Sequence, residues 1–144
     1  MRRQEQFYLD IDKSSMATRF TLKQLEDAEI LISLQRDERP FFVEDYDISI
    51  YIESKFGEAE QIEVLKVDGN DIRALIPGAS LEHLGIFCGE IEISSTDGLM
   101  RTPTFYFVVN KSIGGGNSQV VYDLLDSEGY SLLDSDGYEL QVRR

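Results

Sequence analysis

The sequence predicts an all-β fold, an antiparallel sandwich or barrel. Three observations lead there. Candidate strands with apolar–polar alternation recur about every ten residues. Clusters of Gly, Asp, Asn and Pro separate them. No stretch of about ten residues or more carries the 3.6-residue period of an amphipathic helix, which argues against α/β folds. With 144 residues and 42% hydrophobic content, the chain is long enough to bury a real core and too apolar for wholesale disorder.

Taken in order, Phe7, Leu9 and Ile11 alternate with Tyr8, Asp10 and Asp12 and predict a first strand. Lys13-Ser14-Ser15 is a loop, and Thr18, Phe20 and Leu22 share one side of a second strand. Leu25 to Ala28 reads as a turn, and Glu29–Gln35 as a strand with Ile30, Ile32 and Leu34 facing inward. Arg36 to Pro40 is a charged turn leading through Phe41-Phe42-Val43 to the strictly alternating strand Asp47–Glu53. Ser54 to Glu60 loops around Gly57. Gln61–Val67 and Asp71–Ile76 flank Asp68-Gly69-Asn70, turn residues that tolerate positive φ, and so form a hairpin. Pro77-Gly78 stops its second arm, and Ala79 to Leu84 predicts one short helical turn ended by Gly85.

The centre of the chain is the unit from Gly85 to Val109. In its first arm Phe87, Gly89, Ile91 and Ile93 share the buried face, against Cys88, Glu90 and Glu92. In its second arm Phe105, Phe107 and Val109 share a face, against Thr104, Tyr106 and Val108. A polar turn from Ser94 to Leu99, containing Asp97-Gly98, joins them. The composition then changes. Residues 113–119 read as a Gly-rich linker, too poor in following Lys-Ser/Thr to be a phosphate loop. Residues 120–144 hold a repeat of period eight: Leu124, Leu125 and Tyr130, then Leu132, Leu133 and Tyr138, with Tyr122 one period earlier. A ribbon this small cannot bury its own faces. We therefore expect residues 1–112 to form the β-domain, and the C-terminal β-repeat to make contacts with a sister subunit or another protein through Tyr122, Leu124, Leu125, Tyr130, Leu132, Leu133 and Tyr138.

The net charge of −13 makes nucleic acid and anionic membranes poor partners, since phosphate contacts need Lys and Arg. The single cysteine, Cys88, permits no internal disulfide. Neither a signal-peptide h-region nor an apolar run long enough to span a membrane is visible. His83 is the only histidine, and no motif ties it to Cys88, five residues on. Asp10 and Asp12 on one strand face read as a solvated face ahead of a cation or acid–base site. Asp134-Ser135-Asp136-Gly137 opens like a calcium loop, but the EF-hand spacing fails. The expectation is no enzyme, no catalytic residue, no cofactor and no metal.

From Thr21 to Ser112, within a core spanning 18–112, the layout resembles the N-terminal domain of phage baseplate upper proteins. The resemblance rests on the strand Glu29–Leu34, the charged turn into Pro40-Phe41, the alternating Ile48–Ile52, the Asp68-Gly69-Asn70-Asp71-Ile72 hairpin and Leu75-Ile76-Pro77. Leu84-Gly85-Ile86-Phe87 follows, then a strand with Gly89 where that family usually has Ala, and Thr102–Val109 with Lys111-Ser112. The resemblance implies an immunoglobulin-like antiparallel β-sandwich and a symmetric homo-oligomer, a trimer among its options. It also implies a structural role in the virion beside baseplate, fibre, receptor-binding, capsid or neck proteins, after synthesis in the host cytoplasm. The Gly linker, the Tyr repeat and the extra N-terminal segment Arg2–Ala17 depart from the family pattern and leave head, neck and tail all open. The alternative is a receptor- or carbohydrate-binding module, suggested by the acidic, Tyr-bearing composition.

Overall fold

The computed structural model describes residues 2–113. The linker after Ile113 and the Tyr repeat lie outside the described residues. Ten strands form one hydrogen-bonded sheet: β1 (Arg3–Asp10), β2 (Thr18–Lys23), β3 (Ala28–Arg36), β4 (Arg39–Pro40), β5 (Asp47–Ser54), β6 (Glu60–Asp68), β7 (Asp71–Ile76), β8 (Gly85–Ser95), β9 (Gly98–Arg101) and β10 (Phe105–Asn110). Their order is β1-β3-β7-β6-β5-β8-β10-β2, with β4 added to β3 and β9 to β8. β6 turns the corner between two layers. Its start pairs with β5 (Ile62 opposite Ile50), its remainder pairs with β7, and the register shifts between Val64 and Lys66.

The alternation read from the sequence sets the core. Ile30, Ile32 and Leu34 of β3, Ile72, Ala74 and Ile76 of β7, and Ile50 and Ile52 of β5 are buried. So are Phe87, Ile91 and Ile93 of β8, and Phe105, Phe107 and Val109 of β10. β8 is the spine. One edge pairs with β5 from Phe87 to Ser94; the other pairs with β10 over Gly85–Gly89 and with β9 over Glu92–Ser95. The second arm expected of the central unit is thus two strands, broken at Thr102-Pro103-Thr104. Pro103 has no N–H to give a ladder, and Thr102 fills the break. Its N–H donates to the Ile91 carbonyl (2.9 Å) and its buried Oγ1 accepts from the Ile91 N–H (3.1 Å). The helical turn falls at Gly78–Ser80, earlier than the sequence suggested. There the Gly78 N–H donates to Asp27 Oδ1 (2.7 Å), and a Cβ on Gly78 would lie 2.4 Å from the Leu25 carbonyl oxygen. Packing on the β2–β3 turn, rather than local sequence, places it.

The sheet departs from the purely antiparallel expectation in two pairings. β1 runs parallel to β3, and β2 parallel to β10. The chain reverses once between β1 and β2 and again between β2 and β3, so β1 and β3 point the same way, while β2 lies at the far end of the strand order. β1 and β2 share no ladder, yet their side chains meet and nearly close the sheet like a barrel. The Phe7 ring of β1 lies 5.8 Å from Phe20 of β2 and 5.0 Å from Phe105. Phe20 stacks on Phe107 at 4.9 Å, which stacks on Phe87 at 5.2 Å. Arg19 of β2 donates from Nη1 to the Tyr8 carbonyl of β1 (3.0 Å) and lies over the Phe7 ring.

Gly89 makes room for this aromatic column: a Cβ there would lie 2.3 Å from Phe105 Cζ. Gly89→Ala should therefore cost ~1–3 kcal/mol, seen as a lower urea midpoint at unchanged slope. Adding Phe105→Leu should make the pair less damaging than the sum of the two singles, and strict additivity would remove the ring as the cause. Thr102→Val keeps the shape and strands the Ile91 N–H; a loss of ~1–3 kcal/mol is expected in the same assay.

Candidate interaction surface

The outer face of β5, β8 and β10 should carry polar side chains, since alternate residues point to water. It departs from that rule. Glu53, Cys88 and Tyr106 form one cross-strand row, and Ile86 lies opposite Val108 in the next. Ile86 is 63% exposed, and Phe56, in the loop after β5, is 69% exposed. Ile86 helps line an open groove of about 460 Å³, with Glu53, Lys55, Gly57, Cys88 and Tyr106. A smaller hollow of about 120 Å³ continues it towards Tyr51 and Glu90. Lys55 Nζ lies over the Phe56 ring at 5.6 Å, and the His83 ring lies 5.9 Å from Phe56.

The Cys88 thiol forms part of the floor and donates to the Glu53 carbonyl (3.8 Å). Burial pushes this thiol above its ordinary range, and the Glu53 and Glu90 carboxylates push it further. A reactive cysteine needs the opposite surroundings. His83 and Cys88 thus have different neighbours: a phenyl ring for one, a backbone carbonyl for the other.

A second exposed apolar point lies at the β3–β4 corner. Asp37 and Glu38 link these strands with φ of 52° and 67°, so Arg36 faces Arg39 across a two-residue turn. Phe41 packs towards the core, under the Arg36 guanidinium at 5.1 Å. The next side chain in an extended segment must face the other way, and Phe42 is 65% exposed. Arg39 has no ion-pair partner among the described residues.

Several other charged groups near β1 and β3 satisfy one another. Glu29 accepts from Arg2 (3.1 Å) and Arg73 (2.7 Å) across β1, β3 and β7, and Arg3 pairs with Glu26 (3.0 Å). Asp10 and Asp12 do not share a strand face, because β1 ends at Asp10. Asp10 Oδ1 accepts from the Asp12 N–H (2.8 Å) and the Lys13 N–H (3.0 Å), and these bonds hold its carboxyl below the usual range. Asp12 pairs with Arg36 at 2.9 Å. Among the described residues no group of three His, Cys, Asp or Glu is placed to hold a metal ion. No helix there is long and apolar enough to cross a membrane. Tyr122, Leu124, Leu125, Tyr130, Leu132, Leu133 and Tyr138, and the Asp134–Gly137 motif, lie outside the described residues. Sequence reasoning passed over Ile86, Phe56 and Phe42. The signals were an Ile on the wet phase of a strand and two adjacent Phe residues.

No family model and no curated protein matches the chain. Among solved structures it is similar to the N-terminal domain of phage TP901-1 ORF48, with a TM-score of 0.54 and 10% sequence identity, over 74% of this chain and 98% of that one. The likeness is one of fold. It takes in nearly all of the phage domain rather than a single hairpin.

The groove makes a prediction about its floor. The rate of Cys88 alkylation by iodoacetamide should rise with a midpoint above that of a free cysteine. Glu53→Gln with Glu90→Gln should lower the midpoint part of the way, because burial is the larger cause. A midpoint at or below the free thiol's would contradict this account.

Proposed function

We propose that the protein is a structural component of a phage virion, an oligomeric adaptor that anchors or connects other virion proteins of the baseplate or fibre. The observation that carries this reading is the fold shared with almost the whole of a phage protein domain. The surface supports it. Large apolar side chains at Ile86, Phe56 and Phe42 stand in water, as contact residues do. The partners on this reading are other virion structural proteins and further copies of the same chain, and the location is the virion.

The reading includes no catalysis. What supports this is that burial and two carboxylates push the Cys88 thiol up, away from the thiolate, and that His83 and Cys88 have different neighbours. An immunoglobulin-like sandwich remains part of it. What supports that description is two layers, β1-β3-β7 and β5-β8-β10-β2, joined through β6 over one aromatic and aliphatic core.

Immunogold electron microscopy of intact particles, with an antibody raised against this chain, tests the reading. We expect label at one fixed position on every particle. Unlabelled particles, with the same antibody recognising the chain in the lysate, would overturn it.

A further inference from the structure

We propose that copies of this chain join head to tail, the Arg39–Phe42 corner of one copy seating in the Ile86–Tyr106 groove of the next. The proposal rests on the oligomeric reading above and supplies its contact.

The two patches complement each other in shape and charge. Phe42 offers one exposed aromatic ring; the groove, about 460 Å³, has room for one and is walled by Ile86 and Tyr106. Arg39, directly after the Asp37-Glu38 turn, brings a cation without an ion-pair partner among the described residues. The groove offers the Glu53 carboxylate, which likewise has none there, and the adjoining hollow holds Glu90, ion-paired with Arg101 at 3.9 Å. Glu53 lies opposite Cys88 in the β5–β8 ladder, beside the groove floor. Lys55, the cation at this rim, is drawn aside over Phe56.

Position decides between a self-contact and a second copy. The groove lies where β5 passes into β6, at Lys55 and Gly57. The corner lies at the other end of β6: the Val43 N–H donates to the Gly69 carbonyl (2.9 Å), and a methyl on Gly69 would touch the Phe42 ring at 3.6 Å. β6 is nine residues long, so the patches are separated by roughly 25–30 Å of extended strand. One copy cannot fill its own groove. Two different patches at opposite ends make a heterologous contact, which closes into a ring or runs on as a fibre.

The test is sedimentation velocity on the full chain, with far-UV circular dichroism to confirm folding. The parent should form a concentration-dependent oligomer that weakens with salt. Phe42→Ser and Ile86→Ser, both at exposed positions, should each sediment as a monomer. Mixed one to one, they retain one intact corner and one intact groove, and should give a dimer and nothing larger. Arg39→Glu and Glu53→Arg should each weaken assembly, and the double variant should recover it. A monomeric parent, single variants that assemble like the parent, or a mixture that stays monomeric would each overturn the contact. Particle labelling is read independently, so a failed contact on a labelled virion leaves the structural reading in place.

Discussion

The packing of Phe105 on the bare backbone of Gly89 is the constraint on which the rest of this sheet depends. β8 and β10 pair at that point, Phe105 directly opposite Gly89, and the ring folds back across its partner. From there the column runs to Phe7 in β1, while Phe107 links to Phe20 in β2 and Phe87 in β8. β1 and β2 are the two ends of the strand order and share no ladder. Aromatic contact and the Arg19 clasp do the closing that hydrogen bonds do elsewhere. The Arg19 Nε is buried without a hydrogen-bond partner among the described residues. That unmet donor has a cost, offset by the ring beneath the guanidinium and the Tyr8 carbonyl at its tip.

How much of this could be read from the sequence follows from what alternation encodes. A period of two says which face a side chain takes, so Ile30, Ile32 and Leu34, or Phe105, Phe107 and Val109, were legible as core. It says nothing about which strand lies alongside. The parallel partners β1–β3 and β2–β10 come from long-range closure, which no local pattern records. The break at Thr102 shows the same limit. Thr is an ordinary strand residue, and only the Ile91 N–H across the ladder turns its hydroxyl into a substitute backbone acceptor. The short helical turn at Gly78 moved from its expected place because Asp27 and Leu25, far off in sequence, fix it.

The contact surface was less legible than the fold, for a related reason. Periodicity draws attention to residues that obey it, whereas the groove is made by residues that break it. Ile86 stands on the wet phase of β8, and Phe42 follows a Phe that already faces in. The Tyr and Leu repeat from Tyr122 to Tyr138 dominates any reading for an interface, and it lies outside the described residues. Net charge misleads in the same way. A total of −13 describes the whole chain, yet Arg39 stands unpaired at one end of β6 while Glu53 stands unpaired at the other, among the described residues. Binding responds to that local distribution rather than to the sum.

Closure also determines how such a domain can associate. An open sheet offers unpaired N–H and C=O groups along its edges, and a neighbour can add a strand there. Here the long terminal strands turn their edges towards each other, and the strands lying off the main path are short, two residues in β4 and four in β9. Little backbone is left for strand addition among the described residues. Association would then fall to side chains on faces and corners; in the contact proposed above, Phe42 and the groove at Ile86 supply burial, and Arg39 and Glu53 supply orientation. Backbone pairing tolerates almost any sequence, but a ring-in-groove contact flanked by opposite charges does not. A nearly closed sheet therefore exchanges a promiscuous edge for a contact that can choose its partner.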